Sequence, residues 1–164
     1  MASLNDFKIL NNKCSSYFHI LKNELAINII ARNPTDENRI GFYIYMLECI
    51  CNIKDPIEIN ELITDTEYNL TVNNIKINDC GVDAVYIDEN NHSINLFNFK
   101  FRESFNPDDQ QSANASFITT KFTNALLNRD INHLEGKLKK FAKKILEVLS
   151  SNDVWSMKLY LISN

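Results

Sequence analysis

Two runs of alternating side chains, "CGVDAVYID" (80–88) and "INLFNFKFR" (94–102), stand on either side of the polar stretch "DENNHS". Strand side chains alternate between the two faces of a sheet, and turn formers between two such runs predict a β-hairpin. In the second run Ile94, Leu96, Asn98 and Lys100 share one face, and Phe97, Phe99 and Phe101 share the other. The phenylalanines are packing residues. Asn98 and Lys100 are polar groups in a strand that otherwise reads as core, and the hairpin sets Asp83 of the first run near them. A carboxylate, an amide oxygen and an ammonium are thus expected in one place.

Helices precede and follow the hairpin. From Leu4 to Ala31, Phe7, Leu10, Cys14, Phe18, Leu21, Leu25 and Ile29 recur at three- and four-residue steps, one face of a long amphipathic helix. "NPTDEN" interrupts it, and a second apolar helix is expected from Asp36 to Asn52. Asp55, Pro56 and Glu58 then give the N-cap, first-turn proline and capping acid of a short third helix ending near Thr64. Strands are expected over Asn69–Ile77, Val82–Asp88 and Ser93–Arg102. "NPDDQQSANAS" reads as a loop leading into further helix. Leu134, Leu138, Phe141, Ile145 and Leu149 mark a late helix, and "WSMKLYLIS" a last strand.

The chain has 164 residues, the size of one domain with a single core. With 45% hydrophobic and 23% charged residues it has an ordinary globular composition. No apolar run reaches the roughly 20 residues that span a bilayer, and "MASLNDFK" lacks a signal-peptide pattern, so a cytoplasmic protein without a membrane partner is expected. The cysteines Cys14, Cys49, Cys51 and Cys80 lack the spacing of a zinc site and read as reduced thiols buried as small hydrophobes. His19, His92 and His133 are scattered, and no glycine-rich phosphate loop exists among Gly41, Gly81 and Gly136. Gly81 reads as backbone freedom just before the Asp83 strand.

A hard divalent cation takes oxygen ligands and keeps several waters, so one or two carboxylates suffice where a phosphate supplies the rest. Asp83 is the candidate anchor for Mg2+, with Mn2+ as substitute. The Asn98 side-chain oxygen and the Phe99 backbone carbonyl are candidate neutral ligands, and Lys100 is the candidate partner for an anionic transition state. The reaction this set suits is phosphodiester hydrolysis. The same residues also fit a plainer arrangement, a cross-strand Asp83–Lys100 ion pair beside an exposed Asn98. Glu48, a lone acid in "YMLECIC", either faces the active edge of the sheet or reaches solvent.

Gly81-Val82-Asp83, a hairpin, then Asn98-Phe99-Lys100 resembles the paired motifs of restriction-endonuclease-like PD-(D/E)xK nucleases. More narrowly, "ITDTEYN", "NDCGVDAVYIDENNHSINLFNFKFRESF" and "KLYLIS" resemble the N-terminal nuclease region of AIPR-type abortive phage infection proteins. The resemblance covers roughly residues 42–164. It implies an α/β fold with an αβββαβ core, a mixed central sheet flanked by helices, and an extra N-terminal helix, with residues 1–35 as extension and 36–164 as core of one structural domain. It also implies a Mg2+-dependent endonuclease in bacterial anti-phage defence, with Asp83, Asn98, Lys100 and Glu48 as catalytic residues. Asn98 stands where the family carries an acid or glutamine; it keeps a carbonyl oxygen and lacks the charge. A nuclease-like module without catalysis, binding nucleic acid or a protein partner, is the alternative, and a helical interaction domain on a β scaffold a more distant one.

The net charge of -4 does not mark a nucleic-acid binder, but "KLKKFAKK" concentrates five lysines on the late helix. Lys137, Lys140 and Lys144 fall on one side of it. They form either a stripe facing nucleic acid or the solvated face of an amphipathic helix. The expected partners are nucleic acid, DNA first, and a second copy of the chain.

Overall fold

Ser3 starts the first helix, α1 (Leu4–Leu25), with a capping box: its hydroxyl accepts from the Asp6 amide at 3.2 Å, and the Asp6 carboxylate accepts from the Ser3 amide at 2.8 Å. The computed structural model describes residues 3–26, 29, 31–106 and 114–164, the side chains of 114–118 excepted. The helix ends at Ala26, whose φ of 50° is left-handed, short of the Ala31 its periodicity reached. In α2 (Pro34–Cys51), Asn33 caps by accepting from the Asp36 amide at 2.9 Å, and Pro34 occupies the first turn. Asp55 accepts from the Ile57 amide at 2.8 Å to start α3 (Pro56–Leu62).

The chain divides into two compact units, Met1–Glu61 with Phe99–Gln111 and Ser163–Asn164, and Leu62–Asn98 with Ser112–Ile162. In the first, α1 and α2 pack in near-backbone contact, because a Cβ on Gly41 would lie 1.8 Å from the Cys14 carbonyl oxygen. Burial pushes the Cys14 thiol up to about 12. None of the four cysteines forms a disulfide; Cys14 is buried, whereas Cys49 is exposed, so the small-hydrophobe expectation fails at Cys49. Phe99 stacks on Tyr43 with centroids 4.6 Å apart, and Phe101 meets Phe42 at 5.6 Å.

The second unit begins with α4 (Thr66–Val72), where the sequence pattern suggested a strand over Asn69–Ile77. The β-branched residues there were misleading. Asp65 caps the helix by accepting from the Tyr68 amide at 2.6 Å, and Tyr68, Asn69 and Val72 turn inward at helical spacing. Asn69 closes the turn, donating to the carbonyls of Ile63 at 3.0 Å and Asp65 at 2.9 Å.

The hairpin forms as expected. β1 (Ala84–Asp88) and β2 (Ser93–Lys100) pair antiparallel, from Ala84 opposite Phe97 to Asp88 opposite Ser93. Two helices follow, α5 (Asn114–Leu127) and α6 (Gly136–Leu149), then β3 (Ser156–Ser163). The order β1-β2-β3 makes a mixed three-stranded sheet, so the described residues hold three strands rather than the four implied by the family resemblance. Val85, Ile94 and Leu96 form the core face with Phe122, Leu126, Leu138, Ala142 and Ile145. On the opposite face Phe97 stacks on Tyr160 of β3 with centroids 5.0 Å apart. The protein is thus a mixed α/β structure. Most of the loop expected over 106–116 lies outside the described residues. No helix among the described residues is long and apolar enough to cross a membrane.

A candidate metal centre at the Gly81 turn

Asp79, Cys80, Gly81 and Val82 make a tight turn closed by a bond from the Val82 amide to the Asp79 carbonyl at 3.0 Å. Its central residues both have positive φ, 50° at Cys80 and 80° at Gly81, the pattern of a type I′ turn. The backbone freedom read for Gly81 is therefore used. The Asp79 carboxylate organises the turn: one oxygen accepts from the Gly81 amide at 2.7 Å, and the other from the Thr66 amide at 3.1 Å and hydroxyl at 2.9 Å. These bonds hold the start of α4 against the turn.

Asp83 leaves the turn just ahead of β1. Its amide donates to the Phe97 carbonyl at 2.8 Å, and its own carbonyl accepts from the amides of Thr64 at 2.8 Å and Asp65 at 3.0 Å. The Thr64 hydroxyl donates to the Val82 carbonyl. Backbone bonds on both sides thus fix the Asp83 position. The result is a cluster in which Asp65, Asp79 and Asp83 each present a carboxylate oxygen, all within 4.8 Å of one another. Asp83 is 7% exposed and Asp65 9%. Three carboxyl groups this close, two of them poorly hydrated, offer a divalent cation several oxygen ligands at once. Oxygen donors of this type fit Mg2+ or Mn2+ better than a soft metal. Burial and the neighbouring Asp79 charge together hold the Cys80 thiol above its ordinary range, with Lys121 opposing them.

Asn98 belongs to the same place. Its side-chain amide donates to the Gly81 carbonyl at 3.3 Å, and the Thr119 hydroxyl of α5 donates to that same carbonyl at 3.0 Å. Strand β2 and helix α5 thereby grip the turn from which Asp83 emerges. Asp83 and Asn98 lie in the second unit, whereas Glu48, Phe99 and Lys100 lie in the first. Glu48 accepts from Lys54 at 2.9 Å. It also accepts from the Tyr17 phenol, which partial burial and this bond together push up to about 12. Glu48 therefore has a structural employment of its own. Phe99 is buried against Tyr43.

On α6, Lys140 and Lys144 are exposed, Lys137 is half-buried, and Lys144 forms an ion pair with Glu89. Lys139, on the same helix, donates to the Asn132 carbonyl at 3.1 Å.

No family model, curated protein or solved structure matches the chain. Asp65 and Asp79 were not singled out by motif reading, although two acids four residues apart around a glycine, in "DCGVD", carried a signal. Asp65 was hidden because the segment after it read as strand, which gave no reason to look for an N-cap. Thr119 carried no signal at all.

Proposed function

We propose that the chain is a divalent-metal-dependent nuclease module that hydrolyses phosphodiester bonds in DNA, built on a restriction-endonuclease-like arrangement of hairpin, helices and returning strand. The observation that carries this reading is the Asp65–Asp79–Asp83 cluster, with mutual oxygen distances within 4.8 Å, at the base of the hairpin where sequence reasoning set Asp83. Asp83 would hold the ion, with Asp79 and Asp65 beside it. Bound there, Mg2+ or Mn2+ would supply Lewis acidity and a more acidic bound water. The chain's own groups position the site: Asn98 and Thr119 hold the Gly81 carbonyl, and the Thr64 and Asp65 amides hold the Asp83 backbone. Phage defence rests on the AIPR-type sequence resemblance, and a cytoplasmic setting on a sequence with no apolar run long enough to span a bilayer. The role of Lys100 as partner for phosphoryl charge rests on the sequence alone.

The second reading, a module that binds nucleic acid or a protein partner without cleaving, is favoured by one observation. The Asn98 amide is engaged with Gly81, at the position where the family carries an acid or glutamine. Incubation of supercoiled plasmid and single-stranded DNA with Mg2+ or Mn2+ separates the two. Cleavage lost in Asp83→Ala and reduced in Lys100→Ala supports hydrolysis; binding with no cleavage by the parent chain supports the second reading.

A further inference from the structure

The core face of the sheet does not stop where its helices stop. Tyr160 of β3 stacks on Phe97, so alternation places Met157, Leu159 and Leu161 on the other face, the one carrying Ile94 and Leu96. There Ile94 and Leu96 are buried beneath α5 and α6, while Met157, Leu159 and Leu161 are each 41% exposed. Leu149 and Val154, which lead into the strand, are exposed as well. β3 is also the last strand in the order β1-β2-β3, with no partner on its outer edge among the described residues. A long apolar edge strand is a template for pairing with another strand.

We infer that β3 pairs antiparallel with β3 of a second copy, about a two-fold axis at Leu159. The backbone phase selects this register. The Ser156 amide donates to the His92 carbonyl at 2.9 Å, so even-numbered residues of β3 direct their backbone groups toward β2. The outward-facing amides and carbonyls belong to Met157, Leu159, Leu161 and Ser163. Centred on Leu159, the pair sets Leu159 against its own copy, Met157 against Leu161, and Lys158 against Tyr160. Shifting the centre to Lys158 would oppose two ammonium groups, which is unfavourable. Shifting it to Tyr160 would set Met157 against Ser163 and waste apolar surface.

The area agrees with a second copy of the same strand. The exposed apolar side chains from Leu149 to Leu161 amount to on the order of 400 Å² per copy, the size at which patches on single chains are functional. Doubled and fully covered, with the backbone edge and flanking side chains added, the surface reaches at most about 1,000 Å², the lower limit of a specific interface. The dimer is accordingly a weak one, populated at high protein concentration.

Sedimentation velocity over a concentration series tests the association, and cysteine cross-linking tests the register. The expected result is a monomer–dimer equilibrium in the parent chain, with Leu159→Lys raising the dissociation constant at least about tenfold while circular dichroism stays unchanged. In a background with Cys49 and Cys51 replaced by serine, Leu159→Cys should cross-link to its own copy on mild oxidation. Met157→Cys should cross-link only when mixed with Leu161→Cys, since paired Cα atoms about 5.5 Å apart suit a disulfide. A parent chain monomeric throughout the series, leaving the strand to a different occupant, would overturn the inference. So would a dimer whose Leu159→Cys form fails to cross-link, a readout that does not depend on how Leu159→Lys folds.

Discussion

Asn98 donates its side-chain amide to the Gly81 carbonyl at 3.3 Å, two residues before Asp83, so the polar residue in the second strand of the hairpin clamps the turn that presents the acid. Its nitrogen has a structural task, and its oxygen is the atom proposed to meet a cation. Asn98→Glu removes the donor and adds a charge. Without metal the variant should be less stable by about 1 kcal/mol, the net worth of one hydrogen bond. With Mn2+ it should recover more stability than the parent does, because ligand binding to the folded state alone raises its melting temperature. Asn98→Gln, which keeps the donor and adds reach without charge, is the control. Thermal melts with and without Mn2+ read both effects; equal Mn2+ stabilisation of parent and Asn98→Glu would remove Asn98 from the site.

Gly41 sets a second expectation. A methyl group there would meet the Cys14 carbonyl at 1.8 Å, and backbone cannot move aside as a flexible side chain can. Gly41→Ala should therefore cost at least about 2 kcal/mol, in spite of the higher helix propensity of alanine. Urea unfolding decides it, and an unchanged midpoint would mean that α1 and α2 do not pack this closely.

These two residues also show what was legible beforehand. The hairpin could be read because its alternation, its polar turn and its core phenylalanines all pointed to the same structure. The start of α3 could be read because Asp55 and Pro56 mark it, and α6 because its apolar periodicity runs to Leu149, although Glu135 at its start makes no side-chain cap bond. The segment after Asp65 could not be, since Val72, Ile75 and Ile77 suggested a strand while the deciding interactions, the Asp65 cap and the Asn69 side-chain bonds, are specific to the folded state. Asp83 was legible from parity in a strand. Asp79 joins it through the local turn at Gly81, which "DCGVD" signals, whereas Asp65 joins it through the bonds from Thr64 and Asp65 to the Asp83 carbonyl, which no local pattern encodes. The closeness of Gly41 to Cys14 belongs to that same class.

Tyr17 predicts an alkaline limit to stability. Partial burial and its bond to Glu48 raise the phenol to about 12 in the folded chain, above the ordinary value of about 10. Because the folded value is the higher one, this contribution is complete below pH about 10 and is lost as pH rises toward about 12. The Tyr45 phenol is raised as well, by the neighbouring Cys49 and by burial, so ultraviolet titration should show more than one phenolate forming late in the parent, and that late component should shrink by one tyrosine in Tyr17→Phe. An unchanged titration curve would contradict the Glu48 contact.

The lysines of α6 predict salt dependence. Lys144 pairs with Glu89 at side-chain exposures of 50% and 63%, so the pair contributes less than about 1 kcal/mol and can be given up to a phosphate. Reversing Lys137, Lys140 and Lys144 to glutamate should weaken DNA binding and flatten its dependence on salt by up to about three phosphate contacts. Fluorescence anisotropy across a salt series checks this. An affinity and slope equal to those of the parent would return the three residues to the role of a solvated helix face.

The central claim is that Asp83 anchors a divalent cation with Asp65 and Asp79, and calorimetric titration with Mn2+ tests it most directly. The parent chain should bind Mn2+, and Asp83→Asn, which keeps the shape and removes the charge, should bind at least about tenfold more weakly. That same variant should keep the parent's circular dichroism, so that the loss of binding reads the charge removed from the three carboxyl groups within 4.8 Å. A folded Asp83→Asn protein that binds Mn2+ as tightly as the parent, or a parent that binds none, would contradict the account.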